Sequence, residues 1–196
     1  FYCVANESPI RNLRDLIERA KANPGKLSFS SLGIGAAHHL LGEWINAEAG
    51  IDLAHVPYKG SPAAFADVAA GRVDLMVETA TAALPLIRSG KVRALAVTST
   101  EGKSLVPGVA AASETIRGLE YESWLGIVTT PRTPQPVVDR INRAIREALA
   151  DPDIIKRLED LGGRPGPSSP DQFSARVQRD IDSFRKIVSS RGIPQF

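Results

Sequence analysis

Residues 26–78 read KLSFSSLGIGAAHHLLGEWINAEAGIDLAHVPYKGSPAAFADVAAGRVDLMVE, and the alternation within this stretch decides the fold. Lys26 to Ser31 reads as a strand. After the glycine-containing loop Leu32 to Gly35, a helix from about Ala36 to Ala49 puts Leu40, Leu41, Trp44 and Ile45 on one face, and Gly50 supplies a left-handed stop. Asp52 to Val56 is the next strand. Ser61-Pro62 then starts a helix that reaches Ala70, Gly71 ends it, and Val73 to Val77 returns to the sheet. Strand, helix and strand in this order specify an α/β fold with a parallel-rich sheet.

Working outward, Phe1 to Ala5 reads as a strand and Ser8-Pro9 as a helix start, with Leu13, Leu16, Ile17 and Ala20 on its apolar face and Pro24-Gly25 at its end. Downstream, a helix from about Thr81 to Ser89 ends at Gly90, and Val92 to Thr98 is a strand. Glu101 to Glu122 reads as an irregular connection with one helical turn. A lobe boundary is expected near Tyr121 to Leu125. Beyond it lie one strand, Leu125 to Thr129, and three helices starting at Thr133-Pro134, Asp151-Pro152 and Ser169-Pro170. The last helix carries Phe173, Val177, Ile181, Phe184 and Val188 as one stripe, which needs a partner surface. Residues 1–122 therefore read as one lobe, and residues 123–196 as part of a second lobe that looks incomplete.

Composition narrows the function classes. Lys and Arg number 24 against 22 Asp and Glu, and the signs are interspersed, so no basic face for nucleic acid is implied. Cys3 is the single cysteine, which excludes an intramolecular disulfide and reads as a core thiol. The apolar runs are too short to span a bilayer. The chain opens on a strand-like run, so an export signal is expected to lie outside it. There is no Gly-x-Ser-x-Gly elbow, Walker loop or His-Glu-x-x-His, and a trio of Ser61, His38 and Asp74 is of a kind that any chain this long offers. His39 and Glu43, four apart, share a helix face but lack a third ligand at metal spacing. Neither a cofactor nor a metal is expected, and the chain does not read as an enzyme.

In an open α/β sheet, ligands bind outside the carboxyl ends of the strands, at helix starts whose free N–H groups attract anions. Three loops have that position. The first offers Ser31, Gly33, Ile34, Gly35, Ala36 and Ala37, with glycines that let backbone approach a carboxylate and small residues that leave the helix start uncovered; a tight turn without a ligand is the alternative. The second offers Lys59, Gly60, Ser61 and Ala63, either as a cation and hydroxyl for an anion or as a solvated lysine beside a helix cap. The third offers Glu78, Thr79 and Thr81, with Glu78 either accepting from a ligand or engaged in a salt bridge.

Taken together, Lys26-Leu-Ser-Phe-Ser-Ser31, the Gly33-Ile-Gly35 loop with His39-Leu-Leu41, His55-Val-Pro-Tyr-Lys-Gly-Ser61, Gly71-Arg-Val-Asp-Leu-Met76 and Gly90-Lys-Val-Arg-Ala-Leu-Ala-Val-Thr98 resemble the tripartite tricarboxylate transporter receptors, or Bug-type proteins. Trp124-Leu-Gly126, Thr133-Pro134 and Asp151-Pro152 continue the resemblance along the chain. It implies a periplasmic-binding-protein-like (type 2) fold, a periplasmic location, a small carboxylate solute held by backbone amides and hydroxyls of the three loops, and the permease subunits of a membrane transporter as partners. It implies no chemical step. Ile34 and Ala36 stand where the family usually has a polar residue and a Ser or Thr, which points to a more apolar acid, and Glu78 stands where Asp is common. Family proteins carry a longer N-terminal part that supplies the opposing half of the site. Its expected absence here leaves open an interaction module without high-affinity ligand, including a homodimer through the incomplete lobe.

Overall fold

The computed structural model describes residues 1–194. In chain order its elements are β1 (Tyr2–Ala5), α1 (Leu13–Ala22), β2 (Ser28–Ser31), α2 (Ala37–Ala49), β3 (Ala54–Pro57), α3 (Ser61–Ala69), β4 (Leu75–Val77), α4 (Ala80–Arg88), β5 (Val92–Val97), β6 (Ala110–Ala111), α5 (Gln135–Ala148), α6 (Pro152–Asp160) and α7 (Pro170–Arg191). The strands form a single sheet in the order β3-β2-β4-β1-β5-β6. β2 runs parallel to β3 and β4, β5 runs parallel to β6, and β1 lies antiparallel to both β4 and β5. This is the α/β lobe with a parallel-rich sheet that the alternation of residues 26–78 specifies.

The alternating pattern buries both faces of the sheet. Cys3, Val68, Met76, Leu84, Val92 and Val97 pack as one cluster, and Tyr2, Phe29, Leu41 and Ile45 are also buried. Burial pushes the Cys3 thiol up to about 12, with the amino terminus opposing and Glu78 adding to the rise, so Cys3 is an inert core residue. Asn46 fixes the turn after α2: its side chain donates to the Leu53 carbonyl and accepts from the Leu53 amide.

Three expectations are corrected. Helix α1 starts at Leu13 and not at Ser8-Pro9. Asn12 is its N-cap, accepting from the Asp15 amide, while the Arg93 guanidinium gathers the carbonyls of Asn6, Ser8 and Ile10 and holds that segment as a loop. In the connection after β5, a 3-10 turn at Glu101–Leu105 is followed by the two-residue strand β6, too short to carry a pattern. Residues 125–129 form no strand among the described residues: nothing pairs with them, and Leu125, Ile127 and Val128 are exposed.

Two compact units can be separated, Phe1–Glu122 with the chain from Arg185 on, and Ser123–Phe184. In the first, the last turns of α7 bury Ile187, and Arg191 donates to Glu43 at 2.6 Å. In the second, Trp124 donates to Asp180 at 2.6 Å and meets Phe173 edge-on, and α6 and α7 begin with side-chain caps from Asp151 and Ser169. No residue of 123–184 is fully buried.

Candidate functional site: three helix starts around Glu78

Because β3, β2 and β4 are parallel neighbours, their carboxyl ends lie along one edge of the sheet, and each leads into a helix there. One side chain ties these starts together. Glu78 Oε1 accepts from His38 Nε2 and from the Thr79 amide, each at 2.9 Å, and Oε2 accepts from Ser61 Oγ at 2.9 Å. His38 is the second residue of α2, Ser61 the first of α3, and Thr79 the N-cap of α4. The positive ends of three helix dipoles therefore converge on a buried carboxylate. Burial pushes the Glu78 carboxyl up, but hydrogen bonds from His38, Thr79 and Ser61, with the charge on His38, outweigh it and hold the group below the usual glutamate range.

None of α2, α3 and α4 has a side-chain cap on its own N-terminus. Their first-turn amides are thus left for an external acceptor. Ser61 is not the cap of α3: Gly60 occupies that position, and the Ser61 hydroxyl is turned to Glu78.

The first loop is a tight turn with internal bonding. Gly33 and Gly35 have φ of 116° and 81°, values that L side chains rarely adopt. Ser31 is buried; its Oγ accepts from the Gly33 amide at 3.0 Å and meets His55 Nε2 at 2.5 Å. The Gly35 amide donates to His39 Nδ1 at 3.2 Å, and the Ala36 amide to the Gly33 carbonyl. These bonds use three of the amides that the glycine pattern offers to a ligand, and they put Ser31 behind the loop. The amides of Ile34, Ala37 and His38 have no partner among the described residues. Ile34 and Leu32 expose apolar side chains at the same loop, 51% and 36%.

In the second loop Lys59 is exposed and has no ion-pair partner among the described residues, and Ala63 is exposed in the first turn of α3. Tyr58 is engaged elsewhere, donating to Asp67 at 2.6 Å. In the third, the Thr79 and Thr81 hydroxyls lie 3.0 Å apart, with Thr81 exposed. Beneath the first loop lies a stack that motif reading passes over: His39 and His55 have ring centroids 4.1 Å apart, and Phe29 lies 5.1 Å from His55. Burial, and then His39, lower the His55 pKa to about 4, with Glu43 opposing; burial lowers His39 too, again against Glu43. Among the described residues no group of three metal-ligating side chains is assembled, and no helix is long and apolar enough to cross a membrane.

The model of the tripartite tricarboxylate transporter family receptor matches residues 2–193. A protein encoded in the tcbD-tcbE intergenic region of a Pseudomonas species is 35% identical over 187 residues, covering 94% of this chain and 56% of that protein. Among solved structures, an R. palustris protein with adipate superposes with a TM-score of 0.89 at 28% identity, over 100% of this chain and 66% of the other. The periplasmic binding protein BugD gives 0.84 at 31%, over 100% and 66%. MatC from Rhodopseudomonas palustris with bound malate gives 0.86 at 27%, over 95% and 65%. The chain thus spans between about half and two thirds of the length of these proteins.

Proposed function

Because the chain belongs to the tripartite tricarboxylate transporter receptor family, we propose that it carries the carboxylate-recognising half-site of a periplasmic solute-binding receptor that hands its solute to the permease subunits of such a transporter. The family is one of substrate-binding receptors and not of enzymes, and the structural neighbours of this chain include the periplasmic binding protein BugD, a protein with adipate and one with bound malate. The observation that carries the reading is the convergence of three uncapped helix starts at one sheet edge, an arrangement that favours a carboxylate.

The ligand-facing groups are proposed to be the amides of Ile34, Ala37, Ser61 and Ala63, the Lys59 ammonium, and the Thr79 and Thr81 hydroxyls. Gly33, Gly35, Ala36 and Gly60 shape the turns that present them, and Ser31 and Glu78 brace them from behind. Leu32 and Ile34 present apolar surface where a solute's carbon chain would lie. A dicarboxylate with an unsubstituted chain, such as adipate, should therefore bind more tightly than hydroxylated malate. A thermal-shift series with adipate, malate, an amino acid and a nucleotide tests this, since a ligand of the native state raises the midpoint. A rise with adipate, smaller with malate and absent with the nucleotide, is expected; no response to any carboxylate would remove the reading.

A second reading rests on the unit Ser123–Phe184, which we propose is part of the family's other lobe. Leu125, Ile127 and Val128 are exposed there and no residue is fully buried, so this unit needs further polypeptide to cover it, either a longer chain or a second copy. Sedimentation equilibrium distinguishes them: a dimer favours an assembly module, and a monomer that binds no apolar dye would remove it.

A further inference from the structure

His39 is the third residue of α2, 5% exposed, and its Nδ1 accepts the Gly35 N–H at 3.2 Å. A ring nitrogen that accepts carries no proton, so the neutral ring must hold its hydrogen on Nε2. Nε2 faces Glu43 Oε1 at 3.9 Å, one helical turn further along. Glu43 is itself held: its Oε2 accepts from Arg191 Nε at 2.6 Å and from Asn46 Nδ2 at 3.4 Å. A parallel arm runs beside it, since the Gly33 amide donates to Ser31 Oγ, which lies 2.5 Å from His55 Nε2, and the two imidazoles stack. Both glycines of the first loop are therefore pinned from below by a neutral histidine, one directly and one through a serine.

We propose that His39 is a positioning residue for the solute-binding loop: its unprotonated Nδ1 accepts from the Gly35 amide, fixes it, and thereby sets the direction of the free amides of Ile34 and Ala37. The inference rests on the proposed function only in reading that loop as solute-binding. Protonation would set an N–H of His39 against the N–H of Gly35 and release the turn. The charged and titratable groups around the ring are Glu43 on its own helix, His55 on β3, Arg191 on α7, and Asp52, which lies 3.8 Å from Arg191. Burial disfavours a charge on His39, while Glu43, already paired with Arg191, favours one. The loop should accordingly be fixed at neutral pH and released in acid, and solute affinity should fall with it.

The test has a reading that needs no solute. Nitrogen-15 NMR of the imidazoles in the whole chain near neutral pH should show His39 Nδ1 unprotonated; a hydrogen on Nδ1 overturns the proposal. Amide exchange of Gly35, scaled to its intrinsic rate, should rise about five- to tenfold in His39→Phe, which keeps an aromatic ring but no acceptor, the scale of one hydrogen bond of about 1 kcal/mol. His39→Asn, which places an oxygen near the Nδ1 position, should restore protection and keep it as the pH falls below the ordinary histidine range, where protonation of the ring makes the wild type lose it. Unchanged protection in His39→Phe overturns the anchor. Should that variant not fold, the wild-type tautomer and His39→Asn still decide. With adipate as probe, the affinity of His39→Phe should fall and that of His39→Asn should lose its acid dependence. Equal affinity in wild type and a folded, deprotected His39→Phe overturns the positioning role. No adipate binding by the wild type, with the tautomer and exchange results intact, contradicts the solute reading and leaves the anchor supported.

Discussion

Glu78 has room for about four hydrogen bonds on its two oxygens and accepts three from the protein, from His38, Thr79 and Ser61. Its side chain is 5% exposed, so these partners cannot be replaced by water. Glu78→Gln keeps the shape but turns an NH2 group toward at least one donor; it should lower stability by about 1–3 kcal/mol in urea denaturation, while an unchanged midpoint would show that the three helix starts hold themselves. His39 and His55 are lowered, so stability is full above the ordinary histidine value of about 6.5 and erodes as pH falls below it, until His55 protonates in the folded state at about 4. Glu78 is also lowered, so its contribution is present above the ordinary glutamate value and is lost as pH falls through the folded one. His55→Gln, which keeps an acceptor near Nε2 without titrating, should flatten part of the first fall in a pH series of urea midpoints; an unaltered curve would place that fall elsewhere. Of these residues, Glu78 and Ser61 were legible as chemistry-bearing, but not their bond across 17 positions, nor the His38 contact across 40. Long-range partners leave no spacing to read. His39 was within reach, as a histidine at the third helical position four residues after a glycine.

At the scale of elements, α2 lies close on β2 because Gly42 has no side chain: a Cβ there would sit 2.1 Å from Phe29 Cε2. Gly42→Ala would gain up to about 1 kcal/mol of helix propensity, but the overlap with a buried ring costs about 1–3 kcal/mol, and the ring belongs to the stack under the first loop. A net loss of stability is expected in denaturant, together with perturbed His39 and His55 ring resonances; a more stable variant would show that Phe29 has somewhere to go. Helices and strands with their own period and stops, from β2 through β5, were legible to within about three residues at each end. The misses share a cause. The start of α1 was settled by a distant arginine, the unpaired run at 125–129 by the lack of a neighbour, and β6 by a ladder with β5. Each is decided by the presence or absence of a partner, which local sequence does not state.

For the whole molecule, the two units differ in kind. Phe1–Glu122 holds nearly all the buried side chains, whereas 123–184 holds none. Native-state hydrogen exchange should therefore show β1, β2 and β5 near the protection of global unfolding, and α5 and α6 well below it; equal protection would mean that the second unit is covered in solution. The apolar stripe of α7 was legible as a surface in need of a partner, but its cover was not, because a pattern states need and not occupant. If the uncapped helix starts form a carboxylate half-site, calorimetric titration of adipate into the wild type and Ala36→Glu will separate the two proteins. Ala36 is the N-cap of α2, so a glutamate there brings a negative charge to the helix start. Saturable binding by the wild type that is abolished in a folded Ala36→Glu is expected; equal binding by both, or none by the wild type, would show that these helix starts hold no carboxylate.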